Sequence, residues 1–273
     1  MRIDYLSSDI LLFRGDSLAA LATAFIDGER VLLVDALASQ YDALDMRDYL
    51  ETTLGKKVMH IVLTRAGSHD AGLALFPNAA LSRGAAGVGA LQWGRHALEL
   101  FPIPGVRADA LGIDVPGSDL LFVGDAVVGN TAALGAASPE QADALLAALQ
   151  ERGRGLIIPR SGGALCGRAL ANARLYLKNL GAAVAAARSA GEPGGAGAAM
   201  MRIAPDQLLA PGEHPGALER HWHRDNLRQA SERGWFPAAQ AARAPVRRNC
   251  LQACRATFAS VLTAMLGRLV ERV

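Results

Sequence analysis

Cysteine is scarce in this chain: its 273 residues include only Cys166, Cys250 and Cys254. Such a small and odd set cannot form the disulfide framework of a compact secreted protein, and it fits a reducing compartment. Cys250 and Cys254 lie one helical turn apart, but no third cysteine is near them in the sequence. We therefore expect core residues at these positions rather than a metal site.

Long apolar runs and an excess of one charge are also missing. No uninterrupted apolar stretch is long enough to cross a bilayer. The opening "MRIDYLSSDILLFRGD" has acidic residues where a signal peptide needs a basic region followed by an apolar run. The 28 basic and 26 acidic side chains nearly cancel, which argues against nucleic acid and against a membrane as partners. We expect a soluble, cytoplasmic protein.

Aliphatic side chains must build the core, because aromatic residues are few. Hydrophobic residues make up 51% of the chain and aromatic residues 5%, so alanine, leucine and valine supply most of the apolar surface. A chain of this length forms one large domain, or one domain with a sizeable appendage.

The first part of the chain is typical of short strands joined by turns and helices. Asp27-Gly28 is a hairpin turn between the apolar runs of "ATAFIDGERVLLVDAL". The segment "YDALDMRDYLETTLG" has apolar residues at helical spacing and ends at Gly55. In "SPEQADALLAALQER", Ser138 is the N-cap and Pro139 lies in the first turn. Strands precede or follow both helices, which predicts an α/β/β/α sandwich with helices outside two packed sheets.

The later part of the chain is typical of helices. "GRALANARLYLKNLGAAVAAARSAG" predicts one long helix or two, "EPGGAGAA" a flexible break, and "GALERHWHRDNLRQASERG" a helix with Trp222 and Leu227 on one face. The tail predicts a helix with an apolar stripe, formed by Leu251, Phe258, Leu262, Met265 and Leu269. We assign residues 1-190 to the α/β domain and residues 200-273 to a helical C-terminal extension.

Polar and charged residues follow several of the predicted strands. "VMHIVLT" runs into the loop of residues 65–70, "LLFVGDAVV" and "LIIPRSGG" each end in a polar turn, and "LGIDVPGS" carries an aspartate inside an apolar run. These segments contain the candidate site residues Arg65, His69, Asp70, Asp114, Asp125, Arg160 and Ser161.

The order of these segments, over residues 10–235, resembles the metallo-β-lactamase superfamily, and the C-terminal helices resemble those of its glyoxalase-II-like and quinoprotein-associated members. The resemblance implies a four-layer α/β/β/α sandwich with a C-terminal helical extension. In that family the loop after the strand carries His-x-His-x-Asp-His, most of the ligands of a dinuclear zinc or iron centre. The resemblance places Asp125 at the aspartate that bridges the two metals, Ser161 at the last histidine ligand and Asp114 at the third histidine.

This chain departs from the family pattern at most ligand positions. Arg65 and Gly67 replace the first two histidines, His69 and Asp70 stand in inverted order, and only Asp125 keeps its residue type. A hydrolytic zinc site needs three or four nitrogen or oxygen ligands and an open position for water. A guanidinium group at the same place would repel a metal ion. We expect no dinuclear centre and no cofactor.

The remaining ligand-type residues leave one metal hypothesis open. Carboxylates with one imidazole suit a single rearranged divalent ion such as Mg²⁺, Mn²⁺ or Fe²⁺ better than structural zinc. The alternative is that they are polar loop residues paired with the nearby arginines. The residues concerned are His69, Asp70, Asp114 and Asp125.

Two hypotheses need no metal. Ser161, with His69 and Asp125 (or Asp70), has the residue types of a nucleophile, a base and an orienting carboxylate. Arg65 and Arg160 are suited to clamp a carboxylate or a phosphate, or they neutralise the nearby acids.

Our first hypothesis for function is a divergent hydrolase-type or lyase-type enzyme that acts on a small acyl, thioester or lactone-like metabolite. Its catalytic residues would be His69, Asp70, Asp125 and Ser161, and its substrate-binding residues Arg65, Arg160 and Asp114. The alternative is a catalytically inactive binding or assembly protein whose C-terminal helices contact a protein partner or a second copy of the chain. His221 and His223, two apart on a helix, point to different sides, which argues against a shared metal ion.

Overall fold

A computed structural model of the chain describes residues 1–65, 71–104, 109–190 and 195–238. Met1–Pro237 form one compact unit. The apolar stripe predicted for the tail lies outside the described residues, as do Cys250 and Cys254. The division into a domain of residues 1-190 and a helical extension of residues 200-273 therefore stays a prediction, and residues 239–273 of the extension lie outside the described part of the chain.

The first sheet contains six strands in sequence order. Strands β1 to β4 are antiparallel neighbours, and β5 and β6 join them in parallel. The strands are β1 (Arg2–Tyr5), β2 (Ile10–Arg14), β3 (Leu21–Asp27), β4 (Arg30–Val34), β5 (Lys57–Leu63) and β6 (Ala80–Arg83).

The second sheet also contains six strands, in the order β14-β13-β10-β9-β8-β7, and only β10 and β13 in it run parallel. A small hairpin of β11 and β12 stands beside it. The strands are β7 (Gly89–Trp93), β8 (His96–Pro102), β9 (Leu111–Val115), β10 (Leu120–Gly124), β11 (Val127–Val128), β12 (Thr131–Ala132), β13 (Leu156–Pro159) and β14 (Leu165–Cys166).

Five α-helices accompany the sheets in the described part of the chain. They are α1 (Gln40–Asp48), α2 (Pro139–Glu151), α3 (Arg168–Ser189), α4 (Gly195–Met200) and α5 (Ala217–Glu232). A π-helical turn (Tyr49–Thr53) continues α1. None of the described helices has the length and apolarity that a membrane span requires.

Local sequence signals explain several element ends. Asp27 pairs with Arg30 across a two-residue turn, and Gly28 there has a φ of +60°, a left-handed conformation that glycine adopts without strain. Gly55, with a φ of +65°, follows the helical segment as predicted. The Ser138 hydroxyl accepts the Gln141 N–H of α2 in a capping box.

The side chains form three apolar layers, and they confirm the predicted α/β/β/α sandwich. Between the two sheets pack inward-facing residues such as Phe25 and Phe122. On the outer face of the first sheet, residues such as Phe13 pack against Met46 of α1. On the outer face of the second sheet, residues such as Leu121 belong to the layer covered by α2, α3 and α5. The central strands of each sheet are therefore covered on both faces, whereas the edge strands β1, β6 and β7 are largely exposed.

The structure resolves or corrects three predictions about the later helices. The segment predicted as one or two helices is the single helix α3 of 22 residues. Part of the predicted flexible break is the short helix α4. Trp222 and Leu227 of α5 do not share one environment, because Leu227 is buried in the core whereas Trp222 lines a cleft. Five residues of helix rotate the side chain by about 140° from its starting direction.

A buried polar network fastens α5 to the core. Asn226 donates to the Ala132 carbonyl at 2.7 Å and to the Tyr176 hydroxyl at 3.1 Å, and it accepts the Leu134 N–H at 3.1 Å. His223 donates from Nε2 to the Ile203 carbonyl at 2.8 Å, so its Nδ1 is free to accept the Tyr176 hydroxyl at 2.9 Å. The network joins α5 to α3 and to the β11–β12 hairpin.

The substitution Asn226→Ala should destabilise the fold by about 3 kcal/mol, because it leaves buried N–H and carbonyl groups without partners. Urea denaturation monitored by circular dichroism measures the loss. Arg224→Ala, on the exposed side of the same helix, is the control and should change the free energy of unfolding by less than about 0.5 kcal/mol. Equal effects of the two substitutions would contradict the role assigned to the network.

The stability should also depend on pH through His223. Burial lowers the pKa of His223, although the hydrogen bond to the Ile203 carbonyl opposes this, and burial lowers the pKa of His60 in β5. The unfolded chain therefore binds protons more readily than the folded chain. Stability is complete above the ordinary histidine pKa of about 6.5 and is lost as the pH falls through it.

Urea denaturation between pH 7.5 and 5.5 should thus show a falling free energy of unfolding, and His223→Gln should reduce the slope. His221→Gln, which replaces the exposed histidine of the same helix, is the matched control for removing an imidazole from α5. A wild-type slope that persists in His223→Gln would assign the effect to His60 or to other groups.

Candidate functional site

A cleft of about 350 Å³ opens at one end of the sandwich. Asp35 follows β4, Arg65 follows the end of β5, Asp125 follows β10, and Arg160 and Ser161 follow β13. Because β4 and β5 are parallel, as are β10 and β13, their carboxyl ends meet at this end. The cleft thus brings together four predicted site residues: Arg65, Asp125, Arg160 and Ser161.

Only one of the other three predicted residues is described. His69 and Asp70 lie outside the described residues. Asp114 is described and lies elsewhere: it is buried in β9, and Arg152 and Arg154 donate to its carboxylate at 3.0 and 2.6 Å.

The placement of Asp114 follows from strand alternation. Its neighbours Ile113 and Val115 face the layer between the sheets, so Asp114 faces the opposite way. Its cross-strand partner Leu121 belongs to the layer under the helices. The prediction that Asp114 binds substrate in the cleft is therefore wrong, since its carboxylate is engaged on the helix side of the second sheet.

An ion pair crosses the floor of the cleft. Arg65 donates from Nη1 to Asp125 Oδ2 at 2.6 Å, and the two side chains are 17% and 11% exposed. The Arg65 Nε is buried and has no hydrogen-bond partner among the described residues. The resemblance places Arg65 at the first histidine ligand and Asp125 at the bridging aspartate. In this chain these two side chains contact each other.

Asp35 holds the strand ends that carry Arg65. Its two carboxylate oxygens accept the Thr64 N–H at 2.9 Å and the Thr64 hydroxyl at 2.7 Å. The Asp35 N–H in turn donates to the Val62 carbonyl at 2.9 Å. These bonds join the end of β4 to the end of β5 and set the position of the residue that follows.

The turn of Arg160 and Ser161 is fixed by backbone bonds to both sheets. The Arg160 N–H donates to the Gly124 carbonyl, and the Arg160 carbonyl accepts the Leu21 N–H, both at 2.9 Å. The Gly162 N–H donates to the Ala19 carbonyl at 2.8 Å. The turn therefore bridges the sheets, and both side chains line the cleft from a rigid base.

The rest of the cleft is mostly apolar, and part of its wall is strained. Leu18, Asp35 and Leu37 have φ angles of +56°, +59° and +63°, a region that non-glycine residues seldom adopt and that often marks functional sites. His221 and Trp222 of α5 form part of the wall. The aliphatic lining residues are Leu18, Ala20, Leu21, Ala36, Leu37, Ala38 and Leu218.

Sequence reasoning missed three of these cleft residues. Asp35 could be recognised only as the end of a strand, and the contribution of His221 and Trp222 depends on where α5 packs. The different sides occupied by His221 and His223 are as predicted, since His221 is exposed at the cleft and His223 is buried.

The described residues do not fit a dinuclear metal centre. The carboxylates that line the cleft are Asp35 and Asp125, of which one accepts two bonds from Thr64 and the other the Arg65 guanidinium. Within the described ranges no group of three or more histidine, cysteine, aspartate or glutamate residues could hold an ion. No hydrogen bond to a described residue activates the Ser161 hydroxyl.

Comparisons with known proteins identify the fold. No protein-family model matches the chain, and no curated protein matches it. Solved structures match with high probability. A metallo-beta-lactamase from Pontibacter korlensis has a TM-score of 0.57 at 16% identity and covers 65% of this chain and 99% of its own.

Other solved structures agree. The metallo-beta-lactamase DIM-1 has a TM-score of 0.55 at 16% identity, with coverage of 65% and 96%. The enzyme from Erythrobacter litoralis has a TM-score of 0.52 at 14% identity, with coverage of 63% and 93%. At this identity the likeness shows the fold: this chain has the metallo-β-lactamase fold.

Breaking the ion pair should destabilise the cleft end of the sandwich. Arg65→Ala and Asp125→Ala should each lower the free energy of unfolding by about 2 kcal/mol, because each leaves a poorly hydrated charge alone. The double variant should lose less than the sum, with a coupling of at least about 1 kcal/mol. Urea denaturation of the four proteins measures this coupling.

The matched control is the exposed pair of Arg174 and Asp143, which is joined at 2.8 Å with side chains 37% and 47% exposed. Its coupling should stay below about 0.5 kcal/mol, as is usual for surface pairs. If the two couplings are equal, the cleft pair has no special role in stability.

Proposed function

We propose that this chain uses its metallo-β-lactamase fold to bind a small organic carboxylate with an apolar body, without a dinuclear metal centre. The observation that carries the proposal is the distribution of polarity in the cleft. Polar groups gather at the strand ends, whereas the remaining wall is aliphatic apart from His221 and Trp222 of α5. A concave, mostly apolar space with a few convergent polar groups is typical of small-molecule sites.

Arg160 and Ser161 are the groups we assign to the carboxylate. Arg65 is engaged by Asp125, so it neutralises the floor and does not act as the second arm of a clamp. The guanidinium group of Arg160 has the geometry to donate two parallel N–H bonds to a carboxylate in addition to the contacts it already makes, and Ser161 adds a hydroxyl donor from the same turn. The aliphatic wall and Trp222 would cover the apolar body of the ligand.

The second candidate is a metal-independent hydrolase-type or lyase-type enzyme for a small acyl, thioester or lactone-like metabolite. The observation that favours it is that Ser161 and His221, a nucleophile type and a base type, line the same cleft. His69 and Asp70 remain predicted catalytic residues of this candidate. An assembly role through the C-terminal helices also stays a prediction.

A matched series of probes tests the binding proposal. Unbranched carboxylates from butanoate to octanoate should raise the thermal unfolding temperature, and the corresponding amides, which lack the charge, should not. Arg160→Gln should weaken carboxylate binding at least about tenfold, as expected for the loss of a charge-assisted hydrogen bond. Arg168→Gln, an exposed arginine outside the cleft, should bind as the wild type does.

Three outcomes would reject the proposal. If no carboxylate raises the thermal unfolding temperature, or if acids and amides raise it equally, the cleft has no site for an anion. Stoichiometric metal in protein purified without a histidine tag contradicts a metal-free cleft. Turnover of butanoyl esters, thioesters or lactones that is lost in Ser161→Ala supports the second candidate.

A further inference from the structure

A second cluster of chemically active residues lies at the opposite end of the sandwich. Ser118 precedes β10 and Asp125 of the cleft follows it, so the two are separated by a strand of about 16 Å. At the Ser118 end, the hydroxyl of Ser118 and Nδ1 of His96 are 2.9 Å apart. On the other side of the imidazole, Nε2 and Asp9 Oδ2 are also 2.9 Å apart.

Hydrogen-bond chemistry defines the proton positions that this cluster needs for His96 to act as a base. An ionised carboxylate only accepts, so His96 must carry its proton on Nε2 and donate it to Asp9. In the uncharged form of the ring, Nδ1 carries a lone pair and accepts the Ser118 hydroxyl proton. A serine hydroxyl that donates to an imidazole held by a carboxylate is the arrangement that activates a nucleophile.

Asp9 is held in its ionised form. Burial opposes ionisation, but hydrogen bonds from Arg95, Ser7 and His96 outweigh it and hold the pKa of Asp9 well below its usual range. Arg95 and Ser7 each donate to Oδ1 at 2.7 Å, which leaves Oδ2 for His96. In serine proteases Nε2 of the histidine faces the serine and Nδ1 faces the aspartate. Here Nδ1 faces Ser118 and Nε2 faces Asp9, so the nitrogen next to the hydroxyl can still act as the base.

We propose that Ser118 is a nucleophile that accepts an acyl group, with His96 as its general base and Asp9 as the positioning residue. The Ser118 oxygen bonds to the carbonyl carbon of an ester while its proton passes to His96 Nδ1. The bond from carbon to the leaving alcohol breaks, and the alcohol takes that proton. Water, deprotonated by His96, then attacks the acyl group, and the acid leaves as Ser118 regains its proton.

The surroundings of Ser118 define the class of substrate. Pro116, Gly117 and Asp119 of its turn are exposed, and a Cβ added at Gly117 would meet no atom within 4 Å, so the approach is open. His96 is only 4% exposed, which shields the base from bulk water. The turn also carries the Asp119 carboxylate, whose Oδ1 accepts the Gly155 N–H at 2.8 Å, so a neutral ester is the acyl donor that we assign.

A fluorophosphonate probe tests the proposal on the full chain. The probe forms a serine oxygen–phosphorus bond and releases fluoride only where a serine is activated. Intact mass spectrometry should show one phosphonyl group per chain, and peptide mapping should place it on Ser118. Ser118→Ala and His96→Gln should abolish labelling. Because the mapping uses the wild-type adduct, it does not depend on the folding of any variant.

The chain supplies a matched control in Ser82. Its hydroxyl is 2.9 Å from Nε2 of His60, but no described carboxylate forms an ion pair with His60. Ser82→Ala should therefore label as the wild type does. Asp9→Asn should slow labelling at least about tenfold, because the amide no longer selects the Nε2–H form of His96, and should shift the pH dependence of the labelling rate.

Two results would overturn the proposal. One is the absence of an adduct at excess probe. The hydrogen bonds of Ser118, His96 and Asp9 would then only connect the two sheets. The other is an adduct mapped to another serine; if that serine were Ser161, chemistry would belong to the cleft and support the second candidate function. Neutral carboxylic esters such as methyl butanoate should be hydrolysed by the wild type and not by Ser118→Ala.

Discussion

The ion pair of Arg65 and Asp125 is the interaction on which the organisation of the cleft depends. It joins the end of β5 in the first sheet to the end of β10 in the second, with both side chains mostly buried. Two opposite charges in such a place stabilise the fold only as a pair, since either one alone would be costly to bury. The pair gives the cleft a neutral floor in a fold whose solved neighbours are metallo-beta-lactamases.

The two sheets are joined at both ends of the sandwich, but by different interactions. At the cleft, the Arg160 turn and the ion pair join both sheets through backbone bonds and charge. At the other end, Asp9 of the β1–β2 turn and His96 at the start of β8 connect the same two sheets. The cleft has an enclosed apolar wall suited to holding a molecule, whereas the Ser118 end has an oriented nucleophile on an open surface. Our two proposals therefore place ligand binding and covalent chemistry at opposite ends of the sandwich.

The elements that could be predicted are those with local physical signals. The Asp27-Gly28 hairpin, the Ser138 cap and the stop at Gly55 depend on backbone conformations and hydrogen bonds within a few residues. Prediction failed where the signal was weak or distant. The helix α4 lies in a glycine-rich segment with poor helix propensity, so its neighbours in the fold must stabilise it. The prediction for Asp114 is wrong because every residue of β9 is buried, so the sequence shows no alternation that would assign each side chain to a face.

The sequence by itself determined the α/β/β/α layers and the set of polar residues at strand ends, because hydrophobic periodicity and turn chemistry act over short distances and parallel strand ends meet at one edge. Only the tertiary structure decided which side chains contact each other. Arg65 contacts Asp125, and Asp114 faces the helix side of the second sheet. Ser118, His96 and Asp9 form one hydrogen-bonded cluster. Those pairings depend on register and sheet packing between segments as many as 109 residues apart (Ser118 and Asp9), for which no local pattern in the chain carries a signal.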